Sequence, residues 1–311
     1  MHHGWRDRIH CADQDNGGMM AGSAFLAVDW GTTNRRAYRI AADGSVEATE
    51  RDDRGILSIE QGGFPAEAAA IRARMGDLPM LCAGMVGSNR GWAELPYAPC
   101  PNGIEQLSSA VQWVEPDRTA IVPGVACFRN DRADVMRGEE VQLLGAVIGG
   151  LTPRDALLCQ PGTHCKWAWM VDGRIDRFVT AMTGEIFSLL QRHSLLAVQM
   201  DGQVEPNAAF LRGVADARDG DLLVRLFGVR ADFVTGRAVD ADATSYVSGL
   251  LIGTDVAARL GEGAQPVYLL ADPMLGALYS AAIEVVGGTA ILADSHAAFI
   301  HGITHIWRTL S

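Results

Sequence analysis

The chain has 311 residues, 48% of them hydrophobic and 20% charged, with a formal net charge of −11. That length suits about two domains at roughly 150 residues each, in an ordinary globular composition. The acidic balance speaks against a nucleic-acid partner, which needs a basic surface, and no apolar run approaches the roughly 18 residues of a membrane span.

In chain order, residues 1–22 carry acids and no apolar core, so they are expected to be a disordered leader rather than a signal peptide. A cytoplasmic protein is the natural reading. Strands are expected at 24–30, 35–41, 45–50, 79–83 and 119–122, with helices at 64–75, 102–114 and 138–149. Asn102 with Glu105 three residues on resembles a capping box. The Leu-Thr-Pro-Arg segment at 151–154 is placed as a boundary between domains 23–152 and 153–311. Strands then follow at 156–160, 166–171 and 174–180, and helices at 183–197 (capped by Thr183), 207–216, 219–227 and 242–260. A strand at 266–270, a helix at 273–285, a strand at 289–292 and a helix at 294–309 complete the chain. Three strands followed by helix–strand alternation in both halves predicts an α/β fold with mixed sheets and an interdomain cleft. Gly145 and Gly149, and Ala298 and Gly302, lie four apart in their helices. Either this is ordinary tight packing, or helices 138–149 and 294–309 cross between the domains as a hinge.

The two halves share a local pattern. Apolar runs enter Gly31-Thr32 and Gly162-Thr163, and each turn precedes two strands joined by Asp43-Gly44 or Asp172-Gly173. Asp-Gly between alternating runs is a strong hairpin signal, because a type I′ turn needs positive φ at both centres. Two donor-rich turns facing one another would clamp a polyphosphate.

Asp29 ends an apolar strand just before Trp30-Gly31-Thr32-Thr33. A carboxylate there suits Mg²⁺, while Gly31 admits close backbone approach and Thr32 and Thr33 supply donors. A hairpin turn capped by an aspartate is the ordinary alternative; the second copy favours phosphate binding. In that copy Lys166 follows Gly162 and Thr163 and is either a phosphate cation or a solvated strand lysine. His164 and Cys165 do not make a dyad, since adjacent strand residues point to opposite faces. Glu139 and Glu140 open a helix. The helix dipole accounts for both, or they supply a general base or a metal ligand at the cleft. Gly84, Met85, Ser88, Asn89, Arg90 and Trp92 form a glycine-punctuated loop after a strand, suited to a small polar ligand. Six scattered cysteines without a Cys-x-x-Cys give neither a zinc pattern nor a disulfide framework.

The 29–33 turn resembles the first phosphate motif of the actin, hexokinase and Hsp70 ATPase superfamily. The stretches 83–92, 135–142, 161–167 and 182–185, in this order and spacing, resemble the 2-dehydro-3-deoxygalactonokinase family. The resemblance implies a two-domain actin-like ATPase (ribonuclease H-like) fold. It also implies transfer of phosphate from ATP, with Mg²⁺, to the 6-hydroxyl of the sugar acid 2-dehydro-3-deoxy-D-galactonate. The superfamily's late glycine motif is replaced here by Ala271-Asp272-Pro273, which puts the adenine contact in question. Asp29 is expected to order the metal, and Arg90 or Arg137 to pair with the substrate carboxylate. The rivals are a kinase for another sugar acid or sugar, or a non-catalytic actin-like scaffold. The oligomeric state is not set by this reading.

Overall fold

The computed structural model describes residues 22–129, 131–237, 242–260 and 266–310. Apart from Gly22, the expected leader lies outside the described residues. The chain opens with β1 (Phe25–Trp30), β2 (Arg35–Ile40) and β3 (Val46–Asp52) as an antiparallel meander. Phe25, Leu26, Val28 and Trp30 are all buried. A strand covered on both faces must read as a continuous apolar run of this kind. Helix α1 (Phe64–Met75) leads to β4 (Met80–Gly84), which returns parallel to β1. Then come β5 (Ala98–Pro99), the short helix α2 (Ile104–Ser109), β6 (Gln112–Glu115) and β7 (Thr119–Ile121). The hairpin β8 (Val125–Arg129) and β9 (Arg132–Met136) precedes α3 (Glu139–Ile148).

The second half repeats the plan with β10 (Ala156–Gln160), β11 (Cys165–Val171) and β12 (Arg174–Ala181). Helices α4 (Thr183–His193), α5 (Ala208–Ala217), α6 (Leu222–Val234) and α7 (Ala243–Ala257) follow. Strand β13 (Val267–Leu270), α8 (Pro273–Val285), β14 (Ala290–Ala293) and α9 (Ser295–Thr309) close the described chain. The first sheet runs β3-β2-β1-β4-β7-β6 and the second β12-β11-β10-β13-β14. In each, a meander of three strands is extended from its first member by a parallel strand. This duplicated order is that of the actin-like ATPase (ribonuclease H-like) fold, and it sets β1 and β10 in equivalent central places.

Helices α3 and α9 pack against each other between the sheets, inside one hydrophobic cluster that draws residues from both. Their backbones nearly touch. A Cβ added at Gly145 would lie 2.0 Å from the Ala298 carbonyl oxygen, and one at Gly302 would lie 2.2 Å from that of Val141. Although last in sequence, α9 covers the first sheet. Trp307 stacks on Phe25 at 4.8 Å and donates its indole N–H to the Ser23 carbonyl, while Tyr38 meets His296 at 3.0 Å.

Several local expectations are corrected. The segment 102–114 is not one helix: it shortens to α2 and then enters β6. Its N-terminus is held by Gln106, which accepts from the Gly103 N–H, while Asn102 exchanges backbone hydrogen bonds with Ile175. Thr183 does not cap α4 but donates its hydroxyl to Asp255. Asp172 and Gly173 both take positive φ, as a type I′ turn requires, whereas around Asp43 only Gly44 does. The small sheet β5-β8-β9 was not expected at all.

Candidate active site

The turn after β1 is built so that its carbonyls face inward. Those of Gly31, Thr32 and Thr33 accept from the N–H groups of Ile56, Leu57 and Gly55 respectively. Glycine is required at 55, where a Cβ would sit 2.4 Å from the Thr32 backbone. With the oxygens occupied behind it, the exposed Thr32–Thr33 edge keeps N–H groups that no described backbone carbonyl accepts, the polarity an anion needs. A cavity of about 170 Å³ lies against this turn, lined by Asp29, Thr32, Thr33, Arg36 and Arg51 among others. Arg35 belongs to the scaffold: it is buried over the Trp30 ring and pairs with Asp52 and Glu67.

Asp29 sits in β1 opposite Arg36 on one side and Ala83 on the other. Burial raises its pKa to about 6, opposed by the Arg36 charge and reinforced by that of Glu139. Glu139 reaches this point because α3 starts beside the ends of β1 and β4. A Cβ on Gly138 would meet the Gly84 Cα at 3.1 Å, and one on Gly84 would meet the Trp30 carbonyl oxygen at 2.8 Å. Glu139 accepts from the Arg137 N–H at 3.0 Å. The two glutamates therefore divide. Glu140 is fully buried, its carboxylate folded back on the Gly138 N–H at 2.7 and 2.9 Å, with a pKa raised to about 8 by burial and then by Glu139. In that position it cannot touch a substrate, and the expectation of Glu140 as a base is withdrawn; Glu139 and Asp29 remain.

Among the described residues no group of three or more His, Cys, Asp or Glu side chains could hold a metal. Asp29 with Glu139 nevertheless fits Mg²⁺. They are two mutually repelling carboxylates beside an anion-ready turn, and this ion takes one or two carboxylates with water and phosphate oxygens for the rest.

The same helix reaches the second half. One turn along α3 from Glu139, Gln142 accepts from the Gln160 side chain at the end of β10. Beyond Gln160 lies the Gly162-Thr163 turn, where the Thr163 carbonyl accepts from the Glu185 N–H at 2.9 Å. A Cβ on Gly184 would lie 2.5 Å from the Gly162 carbonyl oxygen, so the start of α4 backs this turn closely. His164 is exposed and pairs with Glu185 at 2.5 Å, while Cys165 is buried against Cys159, so the two do point apart. Lys166 corrects the sequence reading. It is 5% exposed, and its ammonium donates to the Val135 carbonyl at 3.0 Å and the Thr180 hydroxyl at 2.9 Å. It ties β9 to β12 rather than offering a charge at the turn.

The loop at 84–92 holds both structural and free groups. Ser88 is buried and bonds the Met85 carbonyl, and Trp92 stacks on Phe64 at 6.3 Å, so both serve the loop's own shape. Asn89 and Arg90 are exposed. Arg137 is 8% exposed, lies 4.3 Å over the Tyr97 ring and donates one N–H to the Leu95 carbonyl, yet its Nε and second terminal nitrogen are buried without a partner. A Cβ at Gly87 would fall 2.8 Å from that terminal nitrogen, so the unpaired donors border the loop. Tyr97, Gln160 and the 55–57 backing lie outside the stretches that carried the resemblance, and Gln142, at the end of one, had no feature that gave it a role. Asp272 accepts from the Leu275 N–H as the cap of α8, which occupies its carboxylate locally.

The sequence model of the 2-keto-3-deoxy-galactonokinase family matches residues 29–306. A relative from Rhizobium meliloti (strain 1021), assigned as a 2-dehydro-3-deoxygalactonokinase, is 35% identical over 306 residues, covering 94% of this chain and 99% of its own. The 2-dehydro-3-deoxygalactonokinase of Escherichia coli (strain K12) is 34% identical over 287 residues, covering 91% of this chain and 97% of its own. The crystal structure of a Sinorhizobium meliloti protein assigned to the same activity superposes with a TM-score of 0.85 at 33% identity, covering 92% of this chain and 96% of that one. No helix of the described residues is long and apolar enough to cross a membrane.

Proposed function

The chain belongs to the 2-keto-3-deoxy-galactonokinase family, and from that premise we propose that it phosphorylates the 6-hydroxyl of 2-dehydro-3-deoxy-D-galactonate with ATP. It is a phosphotransferase acting on an alcohol, in galactonate catabolism. A cytoplasmic site of action goes with this reading. The observation that carries the site is the first turn of α3, which brings the Glu139 charge to bear on Asp29 and bonds the end of β10 through Gln142. One helical turn thus serves both Gly-Thr turns, which supports a single cleft between lobes built on 23–152 and 153–311, with α9 of the latter returning to the first sheet.

In this reading the ATP phosphates lie between Gly31, Thr32 and Thr33 on one side and Gly162 and Thr163 on the other. Asp29 would hold Mg²⁺, with the Glu139 carboxylate beside it left for the acceptor hydroxyl. The ion, when bound, supplies charge neutralisation at the phosphates. The acceptor oxygen attacks the terminal phosphorus, the bond to ADP breaks, and the hydroxyl proton passes to Glu139, with Asp29 as the other candidate. Such transfer depends on positioning and electrostatics more than on covalent chemistry. The sugar acid's carboxylate is assigned to Arg137 ahead of Arg90, because buried guanidinium N–H groups without an acceptor are costly and a carboxylate satisfies two of them in one plane. Closure of the lobes over the α3–α9 crossing would exclude water, the competing acceptor.

An ADP-release assay across sugar acids and neutral sugars tests this. The galactonate derivative should turn over best and its gluconate epimer poorly, since a site that hydrogen-bonds one hydroxyl leaves polar groups unpaired with the other configuration. Equal turnover of both epimers would sink the substrate assignment, and neutral sugars matching sugar acids would sink the role of Arg137.

A further inference from the structure

A groove of about 650 Å³, within the range of small-molecule sites, runs between the β8–β9 hairpin and the outer edge of β12. Four guanidinium groups line it: Arg129 and Arg132 from the hairpin, Arg177 from β12, and Arg259 just past α7. The one carboxylate in the lining, Asp134, is already occupied, since its two oxygens accept from the N–H and hydroxyl of Thr180 at 2.7 and 2.6 Å. In a chain of net charge −11 this is a local reversal of sign.

The arginines are also only weakly paired within the protein. Arg129 and Arg132 stand directly opposite each other in the hairpin register, an arrangement that is unfavourable for like charges. Neither forms an ion pair with any described residue. Arg177 lies 4.2 Å over the Trp169 ring, its nearest carboxylate being the adjacent Asp176 at 3.7 Å. The Nε of Arg259 is buried with no hydrogen-bond partner, and its ion pair with Asp255 is long, at 3.8 Å. None of the four belongs to the Gly-Thr turns or to α3, so the kinase reaction leaves them without a task.

We propose that this groove is a second anion site, which takes a small organic anion bearing phosphate or carboxylate groups. The guanidinium groups supply planar paired donors, and Trp169, Phe178 and Cys127 supply an apolar wall for the ligand's carbon frame. The site would communicate with the cleft through its walls. β9 runs directly into Arg137 and Glu139, β12 runs into the start of α4 behind Thr163, and Lys166 joins the two strands.

The test is calorimetric titration of the full chain, its nucleotide site filled with ADP and Mg²⁺, using citrate and glucose 6-phosphate as separate probes. At least one should bind; which one does distinguishes carboxylate from phosphate recognition. Arg132→Gln and Arg177→Gln should each weaken that binding about tenfold or more, the scale of one charge-assisted hydrogen bond. Without ligand, Arg132→Gln should melt no lower than the wild type, because it relieves the contact with Arg129. The proposal is overturned if neither probe binds at millimolar concentration or if binding is indifferent to both substitutions. It also fails if Arg132→Gln destabilises the ligand-free chain, which would give that arginine to the fold.

Discussion

Glu140 should govern the pH response of the ligand-free fold. Its folded pKa of about 8 lies well above the ordinary 4.5, from burial first and the Glu139 charge second. Such a carboxyl leaves stability intact below pH 4.5 and withdraws it progressively as pH rises from 4.5 through 8, because only the folded state resists giving up the proton. At about 1.4 kcal/mol per pH unit, the withdrawal reaches about 5 kcal/mol, as much as the whole stability of a marginal domain. Asp29 acts in the same direction between 3.8 and about 6. Glu140→Gln keeps an oxygen for the Gly138 N–H and removes the titration. Urea unfolding at a series of pH values should therefore show the wild type losing stability from acid to mildly alkaline pH. The variant should lose much less and overtake the wild type within that window. Parallel curves for the two proteins, or a wild type that gains stability as pH rises, would refute the burial argument.

Asp29→Asn should lower turnover by ~10²–10³ while leaving the midpoint of unfolding at pH 8 unchanged or raised, since a carboxylate costly to bury is gone; circular dichroism and steady-state kinetics separate the two effects, and near wild-type turnover would remove Asp29 from the chemistry. Arg137→Lys should raise KM for the sugar acid about tenfold or more with KM for ATP little changed, because the planar fork is lost; a matching rise in both constants would mean a general collapse of the loop. Gly145→Val and Gly302→Val each drive a branched side chain into a carbonyl 2.0–2.2 Å from the Cβ. Each should destabilise by ~3 kcal/mol or more, read as a fall in thermal midpoint, and wild-type midpoints would mean the helices part freely. Small-angle scattering should show compaction with ATP analogue and acceptor together, and an unchanged radius of gyration would count against closure.

The duplicated sheet was legible because its signals are local. Leu157, Leu158 and Cys159 form an apolar run that only a strand buried on both faces needs, and Asp172-Gly173 fixes its turn by backbone geometry alone. Asp43-Gly44 carries the same letters but sits in a longer loop, closed by the Ala41 N–H on the Ser45 carbonyl, in which the Asp43 carboxylate accepts from the Ser45 N–H and hydroxyl. The β5-β8-β9 sheet was hidden by its shortness and by the charged outer half of its hairpin, where Arg129 and Arg132 break the apolar pattern. At the site, residue type named the chemistry but not its accessibility. Glu139 and Glu140 are neighbours in sequence and helical rotation sends one to the cleft and the other inward. Lys166 looks like a phosphate ligand until β9 and β12, distant in sequence, bring Val135 and Thr180 to its ammonium.

The placement of α9 on the first sheet has a bearing on how the chain is made. The Trp307 indole bonds a carbonyl 284 positions earlier. The face of the first sheet that carries Phe25 and Tyr38 also packs with Leu107 of α2 and Val141 and Leu144 of α3, but its cover is complete only when α9 has emerged from the ribosome. At ~5–20 residues per second that delay is roughly 15–55 s. During it the part of the opening meander that Phe299 and Trp307 will cover stays exposed, so the amino-terminal half lacks a piece of its core despite having a complete set of strands. Nascent chains arrested before Ser295 should engage chaperones and resist compaction, and release should coincide with synthesis of the final helix.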